Sequence, residues 1–311
     1  MTLRIGTRGS ALALAQAGAV ADALETAAGT DVRLISIASE GDIRDDSLAV
    51  IGGRGVFAGT LRRALLAGDC DLVVHSLKDL PTAPADGLAL ASVPVRADAR
   101  DVLCARDGLT LDRLPSGARV GTGSPRRIAQ LLAARPDLEV VDIRGNVDTR
   151  LRFVSEGRLD AVLLAAAGVK RLGRADAVTD TLDLRSWPTA PGQGALALEV
   201  RAADLANSEV ARAARVLADP GAELTVAAER EVLRGLEAGC TAPVAASSSF
   251  SQGVLAVWAA VYRPDGTASV QRQVEQSAAA GDLDPLAAGR RLVDELLDAG
   301  AAELAPLGGR A

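Results

Sequence analysis

Short, unbroken apolar runs that alternate with helical patterns constrain this chain most. Asp71–His75 and Ala161–Ala165 place apolar residues at consecutive positions, so both faces of such strands must be covered. Helices between these runs supply that cover, and the pattern predicts parallel sheets flanked by helices. Leu3–Gly6 reads as a strand, Ala11–Thr26 as a helix capped by Ser10, and Val32–Ile37 as a second strand. Gly41–Gly55 is polar and glycine-rich and is expected to be a mobile lid. A helix around Thr60–Ala67 follows. The pattern restarts with strands at Asp101–Ala105, Arg119–Gly121, Leu138–Ile143 and Ala161–Ala165, with helices at Pro125–Ala134 and Val147–Ser155. The segment Thr189–Gly194 is a turn-rich junction before a strand at Ala195–Val200. After about Asp219 the character changes to a helix (Ala222–Leu236), three alternating strands and a closing helix (Pro285–Ala299). The expectation is two α/β domains followed by a small α+β domain.

Three turns carry arginine where strands give way to helices: Thr7-Arg8-Gly9-Ser10, Gly123-Ser124-Pro125-Arg126-Arg127, and Arg144 through Arg150. Guanidinium groups beside helix starts hold carboxylates or phosphates. The plain alternative for each is a capped helix with a solvated charged start. Gly121–Arg127 is not a dinucleotide fingerprint, because Arg126 stands where the third glycine belongs, and it is no P-loop, because no Gly-Lys-Ser/Thr follows. In His75-Ser76-Leu77-Lys78-Asp79 the acid follows an apolar strand, either as a carboxylate near a reacting cation or as a strand-end ion pair. His75 is the only histidine, which removes His-based metal sites, and it reads as structural.

Composition narrows the partners. Net charge is −6 and aromatics are 2% of 311 residues, which argues against nucleic acid. The apolar runs are too short for a membrane span. No signal peptide is read at the start, and the three cysteines are scattered, both of which point to the cytoplasm. Cys70 and Cys104 fall in or beside apolar strand patterns and read as core. Cys240 sits in a turn after a helix, either inert or a covalent anchor. Lys78 and Lys170 are the only lysines, so each is a rare choice in an arginine-rich chain.

Taken together these motifs resemble the porphobilinogen deaminase family nearly end to end. The resemblance rests on Arg4–Ser10 with Gln16, Gly52–Phe57, His75–Pro81, Gly121-Thr122 with Arg126-Arg127, Arg144–Asn146, Lys170–Gly173, Pro191–Ala195 and Glu237–Cys240. It implies a transferase that links four porphobilinogens head to tail with loss of ammonia, giving hydroxymethylbilane. It implies a dipyrromethane cofactor joined to Cys240 by a thioether. Asp79 falls on the catalytic position. Lys78, Asp79, Thr122, Ser124, Arg126, Arg127, Arg144 and Arg150 fall on cofactor-binding positions, and Arg8, Ser10, Arg144, Arg150 and Arg171 on substrate-binding ones. No metal is implied, and the implied protein is a monomer.

The fold implied is two periplasmic-binding-protein-like α/β domains around a cleft, plus a small α+β C-terminal domain. The expected domains are residues 1–97 with about 195–217, then 98–194, then 218–311 bearing the cofactor cysteine. The chain departs from the family pattern at Gly123, Asp148 and Ala238, and at Val50 and Arg54 in the expected lid. Asp148 is notable because it puts a negative charge in an anion-binding turn. A non-catalytic two-lobed anion-binding protein is the rival reading. The C-terminal domain with Cys240 favours the enzyme.

Overall fold

The computed structural model describes residues 2–37, 55–238, 242–280 and 283–307. By internal contacts the chain divides into two compact units, Met1–Ala97 with Gly194–Glu223, and Asp98–Gln193 with Leu224–Ala311.

The first unit is built on β1 (Leu3–Thr7), β2 (Val32–Ser36), β3 (Leu72–Ser76), β4 (Leu88–Ser92) and β10 (Leu196–Arg201), in the order β2-β1-β3-β10-β4. Helix α1 (Ala11–Ala28) starts where Ser10 accepts from the Ala13 N–H, and it stops at Gly29 in the left-handed region with φ of 61°. Leu24 of α1 meets Leu3, Ile5, Leu72 and Leu198 from one face of the sheet, with Val210 and Ala214 of α6 (Glu209–Val216) beside them. Helix α2 (Gly55–Ala67) sets Leu61 and Leu65 against Val73 on the opposite face.

The second unit contains β5 (Asp101–Ala105), β6 (Arg119–Gly121), β7 (Glu139–Val141), β8 (Ala161–Ala165) and β9 (Asp180–Thr181), ordered β7-β6-β8-β5-β9. Helices α3 (Pro125–Ala134), α4 (Val147–Ser155) and α5 (Ala166–Arg171) accompany it. The same unit carries an antiparallel sheet of β11 (Val244–Ser251), β12 (Val254–Tyr262) and β13 (Ser269–Ser277). Leu255 and Val257 of that sheet are buried with Val232 of α7 (Pro220–Gly235), with Leu236 just after that helix, and with Leu292 and Leu296 of α8 (Pro285–Asp298). Its other face sets Ala245, Ala260 and Tyr262 against Ala129 of α3.

The sheets of the two α/β parts are mixed, not parallel throughout. β10 runs antiparallel to β3 and β4, and β5 runs antiparallel to β8 and β9. Continuous apolarity records burial on both faces, which either strand direction satisfies, so the sequence pattern does not fix direction. The chain therefore has α/β architecture with a small antiparallel sheet near its C-terminus.

Candidate active site

In the first unit, chemistry collects at the C-terminal ends of β1 and β3. The turn after β1 presents half-buried Arg8 and the capping Ser10. The chain after β3 enters a single 3-10 turn, Leu77–Asp79, that leaves Asp79 exposed and Lys78 half-buried. Arg8, Ser10, Gln16, Ser76 and Asp79 line one cavity of about 100 Å³. One guanidinium, two hydroxyls, an amide and a carboxylate therefore share one small space. Gln16 was not singled out as a site residue. Its amide donates to the Ser76 hydroxyl over 2.9 Å and ties α1 to the end of β3.

Behind this cavity lies a network that the sequence did not announce. Glu199 of β10 is buried and accepts from Arg62 Nη2 over 2.8 Å, and its other oxygen lies 3.0 Å from His75 Nε2. Burial would raise the Glu199 pKa, but the hydrogen bonds from His75 and Arg62 outweigh it and hold the carboxyl below its usual value. His75, read from sequence as structural, is buried against Glu199 and also lines the cavity. Its partner was illegible because β10 arrives in this sheet from far along the chain.

In the second unit the turn after β6 holds buried Thr122, whose hydroxyl accepts from the Ser124 N–H over 3.3 Å. Ser124 occupies the cap of α3 but makes no side-chain capping bond, so its hydroxyl is not committed to the helix. Arg126 and Arg127 are buried in the first turn of α3, with exposures of 4% and 6%. Fully buried Asp101 lies between them. Its two oxygens are 2.8 Å from Arg126 Nη1 and 2.6 Å from Arg127 Nη2. Gln193 donates to Asp101 over 2.8 Å, and the Trp187 indole donates over 3.1 Å. Burial opposes the charge on Asp101, yet the two guanidinium groups override it and hold the carboxyl far below the usual carboxylate range. Arg126 also reaches the Gln130 side chain and the Pro188 carbonyl, and Arg127 reaches the Leu163 carbonyl. The Nε–H groups of both arginines are buried without a hydrogen-bond partner among the described residues.

Around this pair the charge stays positive. Half-buried Arg150 donates through Nε to the Gly145 carbonyl over 2.9 Å. Burial, then the nearby charges of Arg127 and Arg144, push its pKa down to about 10. Arg144 is exposed, 3.6 Å from Asp142. Asp148, the departure in this turn, is bound by Arg174 at 2.8 Å, so its charge is taken up locally. Arg171 ends α5 half-buried, and burial lowers its pKa. The structure thus brings Arg127 and Arg144 each within electrostatic reach of Arg150. Sequence reasoning missed Asp101, Trp187 and Glu199. The available signal for Asp101 was a lone acid opening an otherwise apolar strand.

Cys70 and Cys104 are buried free thiols, and burial pushes both pKa values up to about 11. Cys240 lies outside the described residues, as does nearly all of Gly41–Gly55 with Val50 and Arg54. Among the described residues no cluster of His, Cys, Asp or Glu could hold a metal ion, and no helix is long and apolar enough to cross a membrane.

Fold and site together define a class: an α/β protein that carries arginines where strands give way to helices, one pair of them clamped by a buried carboxylate. Two family models extend this. "Porphobilinogen deaminase, dipyromethane cofactor binding domain" matches residues 3–209, and "Porphobilinogen deaminase, C-terminal domain" matches residues 223–298. The chain belongs to the porphobilinogen deaminase family. It is 58% identical to the porphobilinogen deaminase of Leifsonia xyli, over 99% of this chain and 95% of that one. It is 49% identical to that of Cutibacterium acnes, over 98% of this chain and 97% of that one. Among solved structures, an ABC transporter periplasmic substrate-binding protein from Coxiella burnetii aligns with a TM-score of 0.46 at 15% identity, covering 73% of this chain and 96% of that one.

Proposed function

We propose that this protein condenses four porphobilinogen molecules head to tail, releasing ammonia at each step and yielding hydroxymethylbilane. The observation that carries this reading is the family match along the chain, which includes the C-terminal domain that a simple two-lobed anion binder lacks. The proposed cofactor is dipyrromethane, bound through a thioether to Cys240. When bound, it supplies the pyrrole terminus from which the product chain is extended. The described residues fit such a group: buried guanidinium N–H donors at Arg126 and Arg127 without partners, beside further cations, suit the carboxylates it carries. Arg126, Arg127, Arg144, Arg150, Thr122, Ser124 and Lys78 hold those carboxylates in this reading. Arg8, Ser10 and Arg171, with Arg144 and Arg150, take the acetate and propionate of incoming substrate.

Asp79 is the proposed catalytic group. Loss of ammonia leaves positive charge on the substrate's pyrrole and methylene carbon. A carboxylate fixed at the rim of the Arg8–Ser10 cavity stabilises that charge as it develops. The inert thiols at Cys70 and Cys104 leave Cys240 as the anchor. We further propose that residues 218–311 act as the cofactor-bearing domain and that the protein is a cytoplasmic monomer. Light scattering at working concentration tests the oligomeric state.

Intact mass of the purified protein tests the reading. Wild type is expected to exceed its sequence mass by a two-pyrrole adduct and to colour with acidic aldehyde reagent, and Cys240→Ser is expected to lose both. An adduct that persists in Cys240→Ser, or a wild type with neither adduct nor turnover of porphobilinogen, overturns it.

A further inference from the structure

We propose that Asp101 is a built-in counter-ion that fills one of two anion places on the Arg126–Arg127 pair and so makes the pair a receptor for a single carboxylate. The inference rests on the reading of those arginines as a carboxylate mount. Two buried guanidinium groups side by side repel one another, and each loses its hydration. Asp101 is fully buried and divides its oxygens between them, one oxygen to each arginine, at 2.8 and 2.6 Å. Trp187 holds the oxygen that faces Arg126, and Gln193 holds the oxygen that faces Arg127. The carboxylate therefore cannot turn to serve one arginine alone. Two positive charges and one negative leave a net charge of one. The buried donors left over are the two Nε–H groups, one on each arginine. One further carboxylate would balance the charge and engage those donors. Asp101 is a positioning residue here: it orients both side chains before any ligand arrives, which lowers the ordering cost of binding.

The consequence is specific. Without Asp101 the empty anion place should recruit a mobile anion from solution, and stability should become dependent on it. The test uses the full-length Cys240→Ser protein, so that no covalent adduct is required, with inorganic phosphate as the probe and thermal unfolding as the readout. Asp101→Asn in this background is expected to gain about 4 °C or more in midpoint between zero and 100 mM phosphate, beyond the gain of its parent. Leu103→Ala is the control. It lies in the same strand and is fully buried, and it loses stability through a cavity while the arginine–aspartate bonds stay in place. Its phosphate dependence is expected to match the parent's. Should Asp101→Asn not fold, the paired variant Asp101→Asn/Arg127→Leu decides, because it removes one charge of each sign. That variant is expected to fold and to show no added phosphate dependence. Asp101→Asn with the same phosphate response as Leu103→Ala overturns the proposal, as does a paired variant that fails to fold alongside the single one. An absent adduct in wild type would instead count against the enzymatic reading and leaves the phosphate experiment able to decide this one.

Discussion

Asp79 and Asp101 show how differently two carboxylates are used in one chain. Asp79 is exposed on a 3-10 turn, at a cavity rim with Arg8 and Ser10, where its charge is available to a ligand. Asp101 is sealed, with four side chains donating to it. Asp79→Asn keeps the shape and removes the charge, so turnover is expected to be abolished while circular dichroism stays that of wild type. Turnover within about tenfold of wild type, roughly 1.4 kcal/mol of barrier, would rule out Asp79 as the main electrostatic group. Arginine-bearing turns were legible because each combines a helix start with a charge at a fixed offset. Asp101 was not, because its partners lie 25 and 26 positions further on and only the sheet brings them back. The role of Asp148 was likewise opaque until Arg174, distant in sequence, was placed against it.

The helices α1, behind Ser10, and α3, behind Ser124-Pro125, emerged where the sequence put them, and α4 and α8 begin at Val147 and Pro285 as their patterns indicated, with Asn146 and Asp284 as caps that the sequence reading did not name. The strand β4 and the helix α6 were not anticipated. β4 carries half-exposed and exposed residues on an edge, without the continuous apolar run that marks its neighbours. α7 and α8 meet through glycine. A Cβ added at Gly289 would lie 2.6 Å from Glu231 Cβ and 2.8 Å from the Ala228 carbonyl oxygen. Gly289→Ala is therefore expected to cost about 1–3 kcal/mol of stability despite its better helix propensity, measured by urea unfolding. A neutral or stabilising result would show that the helices can part freely. β10 and α2 are joined by the Glu199–Arg62 pair. Glu199→Gln leaves the half-buried Arg62 guanidinium without its charge partner and is expected to cost about 1.5–3 kcal/mol at pH 7. Its folded pKa lies below the usual 4.5, so this stabilisation is present above that value and is lost as pH falls through the folded pKa. The gap in urea midpoint between wild type and Glu199→Gln should therefore narrow below pH 4.5 and hold constant above it. A gap that stays the same from pH 7 to pH 3 would contradict the assignment.

The whole molecule is acidic, at −6, yet its proposed substrate carries two carboxylates per ring. Local arginine clusters must overcome the global repulsion, and exposed ones such as Arg144 act through water. Added salt screens that attraction within about 8 Å at physiological strength. The KM for porphobilinogen is expected to rise several-fold between about 0.05 and 0.5 M sodium chloride with little change in kcat, and a salt-independent KM would show that buried contacts alone supply the affinity. The repeated plan of the two α/β parts was visible as a restarted pattern, and the sheet orders β2-β1-β3-β10-β4 and β7-β6-β8-β5-β9 show it as shared topology. What the pattern hid is that the first sheet is completed late. β4 ends at Ser92, and its neighbour β10, which separates it from β3, begins at Leu196. On a translating ribosome those strands emerge roughly 5–20 s apart. Until then β3 presents an unpaired apolar edge, His75 lacks Glu199, and β4 has no strand to join. The N-terminal part of the newborn chain must wait for the middle of the chain to be made, and that interval is when it is most exposed to aggregation and to chaperones.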